Sequence, residues 1–413
     1  MKTLLLERLP HRFAAARIAT MATGSGSGIG LGPLRFTESE PPRLPDRDWI
    51  RIRPRLSGIC GSDLATLDAT SSRYFEPLVS FPFVPGHEIV ADAIDGVLEG
   101  QRVVVEPVLG CLARAISPPC GACAVGNKGR CERLTFGHLK PGLQTGYCAS
   151  TGGGWSEELV AHASQLHVVP EELSDDQAVL VEPLACAIHA ALRGGVEIGN
   201  DVVVVGAGTV GLLVTAALRT FTTPSSLTTV ARHAGQRRLA SELGADVVTG
   251  ERGVARSVRR LTGSLAVRDR SGDIERLTGG ADIVFDCVGT ASSISRSLAV
   301  VRPGGRIVLV GMPGTVRVDL APLWQREIEI VGAYAYGSET LSGTVRPTFD
   351  LAIEMSAATD LSRIISARYP LERYEEAVRH AAEAGRRGAV KVVFDLRRST
   401  PSWQRNPDAK VRP

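Results

Sequence analysis

The feature that most narrows the fold is the run Val202-Val-Val-Val-Gly206-Ala-Gly208-Thr209-Val210-Gly211. Its valines read as a strand buried on both faces. The glycines read as a turn that feeds a helix. Gly206 permits the tight turn, Gly208 lets the backbone approach a pyrophosphate, and Gly211 lets helix and strand pack closely. The helix opens at Thr209 and Val210 with free N–H groups and a partial positive charge that suit phosphate. An ordinary glycine turn is the bland alternative. It is disfavoured because further apolar strands follow at Leu227–Val230, Asp282–Asp286 and Arg306–Val310, with helices between them. Strand and helix alternate, so the middle of the chain reads as a doubly wound α/β domain with a parallel sheet.

The end of the second strand bears on the dinucleotide. It reads Thr229-Val230-Ala231-Arg232-His233 and offers no carboxylate to an adenosine 2′-hydroxyl. Arg232 suits a 2′-phosphate through charge-assisted bonds, with His233 and Arg237 as secondary candidates. NADP is therefore expected in preference to NAD.

A chain of 413 residues is comfortable as two domains. Hydrophobic residues make up 44% and charged residues 22%, ordinary for a globular protein able to bury a core without disulfides. A formal charge of +3 gives no reason to expect nucleic acid or an acidic membrane surface as a partner. Glu7 and Arg8 break the N-terminal apolar run too early for a secretory signal, and no run is long enough to span a bilayer. A cytoplasmic location is expected. Eight cysteines there point to metal ligands, reactive thiols or packing rather than disulfides.

Residues 1 to about 60 read as extended and loop-rich, with Gly and Ser from Ala22 to Gly32 and a strand over Trp49–Arg53. More β-structure is expected from Phe83 to Val105, and a helix from Ala178 to Leu192. Residues 252–278 read as a basic surface insertion, and 397–413 as a frayed tail. Between 107 and 155 the chain is rich in Cys, Gly and Pro, and would need something to hold it. There Cys120-Gly-Ala-Cys123 is followed by Cys131, with Cys111 upstream. Four thiolates can close a tetrahedral zinc site with no open position, a structural clip. An empty lobe of free thiols is the alternative.

Three short motifs carry candidate chemistry: Gly58-Ile-Cys60-Gly-Ser62-Asp63, Pro85-Gly86-His87-Glu88 and Val181-Glu182-Pro183-Leu184. A catalytic zinc needs about three protein ligands and one open position. Cys60, His87 and Glu182 would supply sulfur, nitrogen and oxygen. Taken singly, Cys60 is more often a buried small residue, His87 a loop histidine, and Glu182 a carboxylate favoured by a helix N-terminus. Their joint presence ahead of a dinucleotide fold is what raises the reading.

The chain resembles the medium-chain dehydrogenase/reductase superfamily, in its zinc-containing alcohol, sorbitol, glucose and threonine dehydrogenase branch. The matching text is GICGSDL (58–64), PGHE (85–88), the cysteine lobe, EPL (182–184), VVVGAGTVG (203–211), LGAD (243–246), DCVG (286–289) and RPGGRIVLVG (302–311). The resemblance implies a GroES-like β-barrel catalytic domain with an inserted Rossmann domain. The expected limits are 1–180 for the catalytic domain with its lobe at 107–150, 181–330 for the nucleotide domain, and 331–413 for the return to the catalytic domain and the tail. It further implies that Cys60 and His87 bind zinc, that Glu88 or Glu182 completes the set, and that Ser62 begins a proton relay. Glu182, where alcohol dehydrogenases of the family carry Cys, tilts the reading toward polyols and sugars.

The chain departs from the pattern in three places. Ser117 stands where the first lobe cysteine is commonly found, so Cys111 is taken as the displaced ligand. Ala65 stands at the place of the relay histidine of some alcohol dehydrogenases. Residues 15–45 form an unusual insertion. Cys148 and Cys186 match no ligand position and are read as packing residues. The function expected is hydride transfer between NADP and a small alcohol, polyol, sugar or matching carbonyl. The rivals are a zinc-stabilised nucleotide-binding protein without turnover and a zinc-free quinone or enoyl reductase. A homodimer or homotetramer is implied, with Phe285–Tyr334 as the contact region.

Overall fold

The computed structural model describes residues 1–268, 270 and 275–397. A six-stranded parallel sheet runs in the order Val247–Thr249, Ser226–Val230, Asp201–Val205, Ala281–Asp286, Val301–Leu309, Glu329–Gly332. The order turns back between the third and fourth of these, so the crevice for a ligand lies beyond the carboxyl ends at Val205 and Asp286. The valine run is buried on both faces. Val202 and Val204 pack against helices Val181–Arg193 and Thr209–Phe221. Val203 and Val205 pack against Val254–Thr262 and Ala291–Val300. The period of two along the strand thus places one helix layer on each face.

A second sheet, mostly antiparallel, forms the other half. Its long strand Trp49–Gly58 pairs with Ile89–Ala93 along one edge. Along the other edge it pairs with Leu159–His162 and then with Lys391–Asp395. Arg102–Val105 and Leu166–Val168 extend the sheet. The chain therefore returns near its C-terminus to the strand that leads into Cys60.

Several sequence expectations need correction. The first 60 residues are not merely extended: Pro10–Thr23 is a helix. Its alanine run favours helix, and Pro10 suits the first turn. Lys2–Leu6 pairs with Leu34–Glu38. The expected helix over 178–192 is two, Asp175–Ala178 and Val181–Arg193. The supposed insertion at 252–278 begins with a core helix, Val254–Thr262, whose Val254 and Val258 are buried against the parallel sheet. The strands Ala266–Arg268 and Glu275–Leu277 pair only with each other, yet Leu277 is buried in the same core. In the expected tail, Arg397 is ion-paired with Asp395 and Asp175, and residues 398–413 lie outside the described residues.

Candidate active site

Cys60 follows the strand Trp49–Gly58 and N-caps the short helix Gly61–Leu67. Its backbone N–H donates to Asp63 Oδ2 at 2.9 Å, which fixes the turn and aims the side chain. His87 and Glu88 precede the neighbouring strand Ile89–Ala93. Adjacent strands thus bring together residues far apart in sequence. Cys60 Sγ, a His87 ring nitrogen and a Glu88 oxygen all lie within 4.8 Å of one another. Glu182, in the first turn of Val181–Arg193, falls outside that group, but the charges of His87, Glu88 and Lys391 act on it.

The site is largely buried and charged. His87, Glu88 and Glu182 are buried, and Cys60 is partly so. Burial pushes the Glu182 carboxyl up to about 7, against the attraction of His87. Burial alone would lower His87, but the Asp63 carboxylate overrides it and holds the imidazole well above its ordinary value. His87 Nδ1 lies 3.5 Å from Asp63 Oδ1 and has no hydrogen-bond partner among the described residues. Ser62 is half-buried on the same helix. Tyr147 Oη reaches Thr66 Oγ1 at 3.4 Å and Asp63 Oδ1 at 3.5 Å.

Three groups facing this site were not singled out by sequence. Lys391 is ion-paired with Glu88 and donates to the Ile59 carbonyl at 3.1 Å. Its signal was a lone charge inside the apolar run Val390-Lys391-Val-Val-Phe394. Asp63 stood within a quoted motif but had no role. Cys186, read as packing, lies one helical turn after Glu182, and its thiol donates to Glu182 Oε1 at 3.6 Å.

At the parallel sheet, Gly206 has φ +99°, a conformation costly for any other residue. A Cβ on Gly211 would sit 1.9 Å from the Gly206 carbonyl oxygen, so glycine is required there. Gly208 is exposed with open space before it. Thr209 and Val210 open the helix behind it. Arg232 is exposed and engages Glu251 Oε1 through Nε (3.0 Å) and Nη2 (2.7 Å). Glu251 also meets Arg296 at 3.5 Å. A carboxylate therefore does stand near the end of the second strand, supplied from beyond the adjacent strand Val247–Thr249, where sequence reading did not place one. Arg237 donates to the Arg232 carbonyl, and His233 caps helix Ala234–Glu242 against Gly385.

The four lobe sulfurs, Cys111, Cys120, Cys123 and Cys131, also lie within 4.8 Å of one another. Backbone N–H groups of Cys111, Cys120 and Arg133 point at Cys123, Cys111 and Cys131 Sγ respectively. Such donors stabilise sulfur anions.

Residues 46–171 match the alcohol dehydrogenase GroES-like domain family, and residues 209–354 the zinc-binding dehydrogenase family. A sorbitol dehydrogenase of Arabidopsis thaliana is 29% identical over 380 residues, covering 89% of this chain and 94% of that one. An L-idonate 5-dehydrogenase of Vitis vinifera is 28% identical over 379 residues, covering 89% and 93%. The chain belongs to the zinc-dependent medium-chain dehydrogenase/reductase superfamily. Solved structures agree on the fold. A zinc-binding dehydrogenase of Sinorhizobium meliloti 1021 bound to NADP superposes with TM-score 0.66 at 23% identity, covering 88% of this chain and 95% of that one. An alcohol dehydrogenase of Escherichia coli CFT073 complexed with NADH superposes with TM-score 0.69 at 20% identity, covering 96% and 99%.

For a dehydrogenase of this superfamily the residues present fit both groups it implies. The half-buried Cys60 sulfur and the buried His87 imidazole and Glu88 carboxylate suit a metal with an open position. The four-sulfur lobe suits a closed one. The glycine turn and helix N-terminus suit a nicotinamide dinucleotide.

Proposed function

We propose that the chain transfers a hydride between NADP and a small polyol, sugar or other alcohol, or the matching carbonyl compound. The carrying observation is the convergence of Cys60, His87 and Glu88 within 4.8 Å of one another. The similarity over most of their length to enzymes named for sorbitol and L-idonate supports the substrate class.

Cys60 and His87 would hold the catalytic zinc. Glu88 stands in the tighter group but already has Lys391 as its cation. Glu182 makes no ion pair among the described residues, and burial raises its carboxyl, a cost that a metal would relieve, so it is the third ligand we favour. When bound, zinc supplies Lewis-acid polarisation of the substrate oxygen. The chain's own groups do the rest. Asp63 acts on the imidazole of His87 through its charge and fixes the backbone of Cys60 by a hydrogen bond. Ser62, at the start of the exposed end of its helix, takes the substrate proton outward. Ala65 contributes nothing to that path, so the proton passes from Ser62 to solvent.

Arg232 is the residue we assign to a 2′-phosphate, which would have to outbid Glu251 for it. Self-association through the region 285–334 is supported by the exposure of Leu320 and Trp324 and by the edge strand Glu329–Gly332. No helix among the described residues is long and apolar enough to cross a membrane. A panel of polyols, sugar alcohols and simple alcohols, run with NADP and with NAD on protein of measured zinc content, tests the reading. Turnover of none of them, with zinc and dinucleotide bound, would leave a binding protein without chemistry.

A further inference from the structure

The segment between Cys111 and Cys120 carries Arg114, whose side chain is wholly buried. Every polar contact of its guanidinium is a backbone carbonyl. Nε donates to Leu109 at 3.1 Å, Nη1 to Phe136 at 3.0 Å, and Nη2 to Gly142 at 2.7 Å. Nη1 also lies 3.4 Å from the Lys140 carbonyl and 3.5 Å from that of Leu139. Among the described residues no carboxylate is paired with it; the ionisable groups that act on it are the thiols of Cys148, Cys131 and Cys111. A buried cation without an anion is costly, and carbonyl dipoles relieve only part of that cost. Beside it lies the opposite problem. A zinc dication held by four thiolates carries two net negative charges in a lobe with little water around it.

We propose that Arg114 is the counter-charge of the metal–thiolate lobe, a positioning residue that lets four sulfur anions share one ion. This rests on reading the lobe as a zinc site. It gives the unusual spacing between Cys111 and Cys120 a purpose: the longer connection carries a cation into the lobe. The three backbone N–H donors around the sulfurs act in the same sense. Neutral hydrogen bonding by Arg114 would staple the loops equally well, so charge and staple must be separated.

The test uses the full chain with Cys60→Ser, so that only the lobe retains zinc, and reads zinc content and the rate of zinc transfer to a chromophoric chelator. Zinc bound with a stoichiometry near one in this parent supports the lobe reading itself; none would overturn both it and the proposal. Arg114→Gln, which keeps two N–H donors but loses the charge, should speed zinc loss about tenfold or more, the usual cost of removing a residue that supports metal ligands. Arg114→Lys should hold zinc nearly as the parent does. Adding Cys123→His to Arg114→Gln removes one negative charge and should restore retention, with Cys123→His alone as control; this arm serves even if Arg114→Gln folds poorly. Retention unchanged in Arg114→Gln, or equal loss in the Gln and Lys variants, would overturn the charge role.

Discussion

Lys391, on the strand that closes the chain's return to the barrel, is ion-paired with Glu88, and both side chains are buried. Both pack against Gly58, where a Cβ would lie 1.7 Å from Glu88 Oε2 and 2.9 Å from Lys391 Cε. Removing the cation leaves a carboxylate in a dry pocket. Lys391→Met should therefore cost about 3–5 kcal/mol in denaturant unfolding of metal-free protein. Lys391→Arg should cost less, and a Lys391→Met protein as stable as its parent would show that the pair contributes nothing.

A second buried carboxylate gives a pH signature away from the candidate metal ligands. Glu106 is opposed by burial but held below its ordinary value by His167, at 3.1 Å, and by Lys128, at 2.8 Å. A folded-state value lower than the unfolded one stabilises the protein above the ordinary carboxylate range, near 4.5, and the benefit disappears as pH falls through the lowered value. Unfolding free energy measured from pH 7 down to 3 should decline less steeply in Glu106→Gln than in the parent. Parallel curves would remove Glu106 from the account.

The dinucleotide turn makes a paired prediction. Gly208 faces open space, so Gly208→Ala should leave thermal stability nearly unchanged while obstructing the backbone's approach to the pyrophosphate. NADPH affinity, read by fluorescence titration, should fall about tenfold or more. Gly211→Ala should lose affinity and stability together, because its methyl meets the Gly206 carbonyl inside the fold. Equal behaviour of the two variants would contradict the assignment of Gly208 to the ligand.

How much of this was readable in the sequence depended on whether a residue's role was local. The valine run and its glycines declare their fold within ten positions, because backbone sterics and burial act along the chain. Cys120 and Cys123 declare themselves through spacing. Glu182 was legible as a donor, but its distance from Cys60 is set by how two sheets meet, and no local pattern encodes that. The partners of Lys391 and Glu251 were illegible for the same reason: each acts on a residue beside another strand, Glu88 in one case and Arg232 in the other. The helix Pro10–Thr23 was obscured by the Gly and Ser that follow it.

Arg232 and Glu251 compete at the cofactor's adenosine end. Arg232→Ala should raise the KM for NADP about tenfold, consistent with loss of a charge-assisted pair, and leave that for NAD little changed. Glu251→Gln, which frees the guanidinium, should lower the KM for NADP. A shift of both cofactors alike in Arg232→Ala would mean that the guanidinium merely shapes the loop, and that the preference for NADP is wrong.

The most direct measurement is metal content and turnover, taken together, in the parent and in Cys60→Ser. The account predicts a variant that keeps the lobe zinc and binds NADPH normally, yet loses the second metal and nearly all oxidation of its best polyol. Full turnover by Cys60→Ser, or an unchanged metal content, would contradict the claim that sulfur, imidazole and glutamate jointly hold the reacting centre.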